Sequence, residues 1–209
     1  MSAAVVTTTF REAYREGIRD ALPLYGGRPS SELAAFATAG ARPGDRVEHG
    51  GVIGAPAIEE LRVLGLTVVT QPAFIRERGD RYVAEVDPAD LPDLYRCASL
   101  RAAGVPVAAS SDAPYASADP WAGMAAAMDR TSAGGRVLGA GEAVDAPTAL
   151  SLYLGQATDP GGPPRRIAEG GVADLVLLDA PLRDVMAGPS ADQVAATLVD
   201  GRVVHSRST

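Results

Sequence analysis

Between residues 31 and 114 one pattern recurs: a helical stretch, a glycine stop, a short apolar strand, a polar tip, then a proline or glycine. Glu32 to Ala39 reads as a helix closed by Gly40, and Arg46-Val-Glu-His49 is a strand ended by Gly50-Gly51. Ala57 to Leu64 is a second helix stopped by Gly65; the strand Leu66-Thr-Val-Val-Thr-Gln71 ends at Pro72. A third helix opens at Pro88 or Asp90, passes through Leu91, Leu94, Cys97, Ala98 and Arg101, and stops at Gly104. The strand after it, with Val105, Val107 and Ala109, leads to Asp112, and Pro114 forbids its continuation. Such alternation predicts βα units around a parallel sheet. The small and β-branched residues of the last strand suit a sheet covered on both faces.

The flanks are less regular. Phe10 to Leu22 has helical spacing, and residues 75–88 read as a charged, loop-like excursion. Asp119-Pro120-Trp121 is a capped helix start, predicting a helix to about Arg130, and another helix spans Ala146 to Leu154. After Gly161-Gly-Pro-Pro164 the texture changes to strands over 173–178 and 194–199. Asp200-Gly201 is a two-residue hairpin turn returning through Val203-Val204. This places a domain boundary near residue 165, with a βα part over 1–165 and a small β element over 166–209.

His49, Gln71 and Asp112 fall at three strand ends, so a parallel sheet or barrel crowds them on one rim, where α/β barrels keep their chemistry. An imidazole and a carboxylate are ligand types for a zinc-like divalent ion. Such an ion lowers the pKa of a bound water to about 7, and a neighbouring carboxylate can take the proton during attack on a carbonyl. The same residues allow a second reading, in which His49 caps a strand and Asp112 satisfies backbone amides. Glu48 is expected to anchor Arg46, Cys97 to lie in the core, and Arg130 to be a surface charge.

Charge and cysteine usage narrow the class. The formal charge is -7, and every one of the 19 basic residues is arginine. That balance argues against nucleic-acid or membrane-surface partners, which require clustered positive charge. The one cysteine excludes an internal disulfide and suits a reducing compartment. The sequence contains no apolar run near the ~18 residues of a membrane span. Its first residues lack a basic segment leading into an apolar core, so a cytoplasmic location is expected.

Arg46-Val-Glu-His49, Gln71-Pro-Ala-Phe74 and Ser110-Ser-Asp112-Ala-Pro114 with Asp119-Pro120 resemble the second half of amidohydrolase-superfamily enzymes, and most of all amidohydrolase family 3. Members of that family hydrolyse exocyclic amides, formamides and related C–N bonds. Gly170-Gly-Val-Ala-Asp174-Leu-Val-Leu-Leu-Asp179 and Thr197-Leu-Val-Asp-Gly201-Arg-Val-Val resemble the closing strands of the family, so the resemblance covers residues 32–205. It implies a partial TIM-type (β/α) barrel in which His49 ends the sixth strand, Gln71 the seventh and Asp112 the eighth, with the tail in a β-sandwich. It also implies His49 as a metal ligand or a residue poised beside the metal, Asp112 as metal ligand and acid/base, and Gln71 as a substrate contact, and it leaves open a substrate contact at Arg130. The implied cofactor is a divalent metal, zinc by type, and the implied substrate a small amide.

The departures are equally specific. The sequence has no His-x-His pair and no lysine that could be carboxylated, and its other histidine, His205, is expected to face solvent in the last strand. A full barrel takes about 250 residues. These departures lead to the expectation of a truncated C-terminal part that is weak or inactive alone, with a catalytically inactive remnant serving association or small-molecule binding as the alternative. An open parallel edge further predicts a homo-oligomer or cover from elsewhere.

Overall fold

The computed structural model describes residues 5–6 and 31–207. The helix expected over Phe10 to Leu22 lies outside the described residues. Four parallel strands form the first sheet in the order β1 (Val5–Val6), β2 (Arg46–Glu48), β3 (Thr67–Thr70), β4 (Val107–Ala109). Helix α1 (Ser31–Ala39) precedes β2, α2 (Ala55–Leu64) joins β2 to β3, and α3 (Ala73–Glu85) and α4 (Ala98–Ala102) both lie between β3 and β4. The register sets Val47 beside Val68 and Val68 beside Val107, a row of β-branched side chains across the sheet. That row packs on Leu33 and Phe36 of α1, Ile58 and Leu61 of α2, and Leu100 of α4. Gly65 ends α2 in the left-handed conformation (φ 66°), its N–H reaching the carbonyls of Leu61 and Arg62. A side chain there would resist that φ, so the glycine sends the chain straight into β3.

Two segments differ from the sequence expectation. Residues 73–85 form a helix, not a charged excursion. Ala73, Phe74 and Ile75 bury its first turn, while Arg81 and Glu85 pair one turn apart at 2.8 Å on its exposed end. Gly79, which reads as a loop signal, sits mid-helix because a Cβ there would lie 2.8 Å from the Cβ of Ser132. The long helix expected from residue 88 or 90 is instead a 3₁₀ turn at Leu91–Asp93 followed by the short α4. Tyr95 interrupts it with φ 43°, donating its N–H to the Gly51 carbonyl at 2.9 Å. The buried Glu142 carboxylate then caps α4, accepting from the Cys97 and Ser99 N–H groups at 3.1 and 3.0 Å.

Beyond β4, α5 (Pro120–Asp129) begins where Asp119 accepts the Trp121 N–H, and α6 (Ala146–Ser151) where Asp145 accepts that of Thr148. The antiparallel second sheet runs β5 (Leu175–Leu178), β6 (Val194–Val199), β7 (Arg202–Ser206), with α7 (Leu182–Val185) between β5 and β6. Asp200 and Gly201 turn β6 into β7 with φ 50° and 73°, as an Asp-Gly hairpin requires. Trp121, Met124 and Ala127 of α5 pack with Val185, Met186 and Val194, so one hydrophobic cluster joins the two parts. His205 is exposed on β7, as expected. The fold is mixed α/β with a parallel sheet carrying the rim. Among the described residues no helix is long and apolar enough to cross a membrane.

Candidate functional site

Strands β2, β3 and β4 all run the same way, so their carboxyl ends form one edge. His49 follows β2, Gln71 follows β3, and Ser110 to Asp112 follow β4. The ladder continues one step beyond the strands: His49 donates its N–H to Val69 O at 2.8 Å and Ser110 to Thr70 O at 2.9 Å. The chain then swings away through left-handed backbone at His49 (φ 72°) and Asp112 (φ 52°). Such conformations cost non-glycine residues on the order of 1–2 kcal/mol and cluster where a side chain must be aimed. They place the two side chains over the strand ends rather than along the strands.

The three tips meet. Nδ1 of His49 lies 3.1 Å from Oε1 of Gln71 and 3.9 Å from Oδ2 of Asp112. Gln71 is 1% exposed, and its Nε2 donates to Ser110 Oγ at 2.8 Å and Val69 O at 3.3 Å. The His49 and Asp112 side chains are 17% and 33% exposed, half-sunk but open to a solute. Glu48 pairs with Arg46, as the sequence suggested. Beside the rim lies an aromatic layer that sequence reasoning missed. Tyr95 meets the Phe74 ring edge-on at 5.4 Å, and its hydroxyl lies 3.0 Å from that of Tyr82. Burial first, then the neighbouring Tyr82, pushes the Tyr95 phenol well above its ordinary range, so it stays protonated. No local signal marks a tyrosine held at positive φ.

Arg130 stands elsewhere, and the surface charge expected there is corrected. It is 0% exposed, with Nε donating to Leu138 O at 3.0 Å, Nη1 to Tyr95 O at 2.9 Å and Nη2 to Leu94 O at 2.6 Å. Each guanidinium nitrogen serves a backbone carbonyl, so Arg130 ties loops together.

The donor types at the rim suit a divalent cation, but their number is short of a complete centre. A catalytic zinc takes three protein ligands and a water. Among the described residues no three His, Cys, Asp or Glu side chains converge. Of these residue types the rim brings together His49 and Asp112.

A parallel sheet flanked by helices, with an imidazole and a carboxylate at the carboxyl ends of its strands, is an α/β arrangement whose polar side chains gather at one rim. The chain belongs to the amidohydrolase family, whose model matches residues 2–205. Two solved structures are similar to it. An uncharacterized metal-dependent hydrolase from Pyrococcus furiosus shares 28% identity at a TM-score of 0.50, over 58% of this chain and 24% of its own. Its counterpart from Pyrococcus horikoshii OT3 shares 29% at a TM-score of 0.51, over 58% of this chain and 25% of its own. The chain thus spans about a quarter of the length of these structures. No curated protein matches it.

Proposed function

We propose that the chain carries the rim of a metal-dependent hydrolase acting on non-peptide C–N bonds of small amides, with Asp112 as its proton-transferring carboxylate. The observation that carries this reading is the meeting of His49, Gln71 and Asp112 at one end of the parallel sheet. Family membership and the metal-dependent neighbours support it. His49 and Asp112 would hold a divalent metal, which when bound polarises a carbonyl and acidifies water. Asp112, more exposed than the imidazole, accepts the proton of the attacking water and returns it to the departing nitrogen. Gln71 has its amide committed within the protein, so its contribution is to hold the rim rather than to touch substrate. Arg130 is left out of the substrate contacts because its donors are occupied in the interior.

A second reading, a remnant without turnover, is favoured by the two-ligand count among the described residues. The 209-residue chain alone is therefore expected to bind at most one divalent ion loosely and to turn over little amide. Metal analysis after dialysis against chelator, with a screen of formamides and exocyclic amides, tests this. Tight stoichiometric zinc with turnover lost on Asp112→Asn would show a complete centre and overturn the expectation of weakness. Millimolar Zn²⁺ or Mn²⁺ binding identical in wild type and in His49→Ala would sink the rim as the metal's place.

A further inference from the structure

We infer that Gln71 is a positioning residue that fixes His49 in the Nδ1–H tautomer and so leaves the imidazole lone pair on Nε2. The inference rests on the reading of His49 as part of the site and adds to it which ring atom does the work. An amide can sit two ways round, and here a backbone carbonyl decides between them. The NH₂ end of Gln71 faces Val69 O at 3.3 Å and Ser110 Oγ at 2.8 Å. Turned over, the amide would set its oxygen against the Val69 carbonyl, two acceptors with no proton between them. In a side chain 1% exposed, water cannot relieve that clash.

The amide oxygen must therefore face His49, and an oxygen 3.1 Å from Nδ1 requires the proton on Nδ1. Asp112 Oδ2, 3.9 Å from the same nitrogen, favours the same outcome electrostatically. Ser110 can both donate and accept, so it supports the arrangement without deciding it. A neutral histidine exposed to water favours the opposite tautomer, so the contact reverses an intrinsic preference. The consequence concerns ligation: a cation or a proton taken by His49 in this arrangement goes to Nε2, and ligation through Nδ1 would require Gln71 to be displaced.

The chain has two histidines, which makes the test direct. Long-range ¹H–¹⁵N spectra of the metal-free, ¹⁵N-labelled protein are recorded at a pH where the rings are neutral, with His205→Gln identifying the exposed ring. His49 is expected to show the pattern of a protonated Nδ1 and an unprotonated Nε2. Gln71→Met, close in shape but lacking the oxygen, is expected to move the ring to the Nε2–H form or to a mixture, and Ser110→Ala to leave it unchanged. A wild-type spectrum with the proton on Nε2 overturns the inference whether or not the Gln71 variant folds. So does a folded Gln71→Met protein whose tautomer is unaltered. Zn²⁺ titrated into the wild type is a separate arm: an unmoved His49 resonance counts against the metal reading and leaves the tautomer result intact.

Discussion

The guanidinium of Arg130 donates to carbonyls from two separate segments, Leu94 and Tyr95 on one side and Leu138 on the other. Lysine keeps the charge but has no fork, so Arg130→Lys leaves carbonyls unmatched at about 1–3 kcal/mol each. The urea midpoint of Arg130→Lys is expected to fall well below that of the wild type, by the equivalent of 2 kcal/mol or more. An unchanged midpoint would mean that water satisfies those carbonyls. Cys97 gives a pH signature. Burial above all pushes its thiol from an ordinary value of 9.0 up to about 12. The unfolded chain then loses this proton first, so stability holds below pH 9 and declines as pH rises toward 12, at up to about 1.4 kcal/mol per pH unit. Tyr82, Tyr95 and Tyr153, all raised by burial, steepen the decline from pH 10 upward. Cys97→Ala should flatten the first part of that curve in denaturant titrations run at stepped pH. The core position of Cys97 was legible from its apolar neighbours. The burial of Arg130 was not, because an arginine after an alanine-rich helix looks the same in sequence whether it turns out to water or in to carbonyls.

Elements closed by a residue with one conformational habit were the legible ones. Gly65, Asp119-Pro120 and Asp200-Gly201 each mark a boundary by local chemistry, and α2, α5 and the β6–β7 hairpin fall where they predict. Elements shaped by distant partners were not. Helix α3 depends on its buried first turn and on the close approach of Gly79 to Ser132, a contact 53 residues apart in the chain. Helix α4 depends on Glu142, whose carboxylate takes two backbone N–H groups and the Ser99 hydroxyl. Glu142→Ala strands two N–H groups in the interior and should cost about 2 kcal/mol or more. Hydrogen exchange at Cys97 and Ser99 is expected to accelerate before that of the β3 amides. Equal protection in both proteins would show that α4 stands without its cap.

At the scale of the molecule, the sequence anticipated the order of β2, β3 and β4 and the meeting of their tips, because one βα pattern repeated three times admits few topologies, but it did not anticipate β1. It did not anticipate how lightly the second sheet is covered. Val176, Leu177, Val203 and Val204 are all exposed, and β7 is exposed along its length. With these surfaces bare, sedimentation velocity is expected to show association that grows with concentration; a single monomeric species at every concentration would contradict that. The left-handed backbone at His49 and Asp112 has a consequence of another kind. Glycine relieves that strain without disturbing the core, and at Asp200, where the side chain carries no chemistry, it should be harmless to any assay. At 112 the same replacement would give a sturdier protein stripped of its carboxylate, whereas at 49 it would also leave the buried Gln71 oxygen without its partner. A library selected for thermal survival alone would therefore drift toward glycine at position 112, and one selected on ligand binding or turnover would purge it. Positions at which the two selections disagree would map the working surface without any knowledge of the substrate.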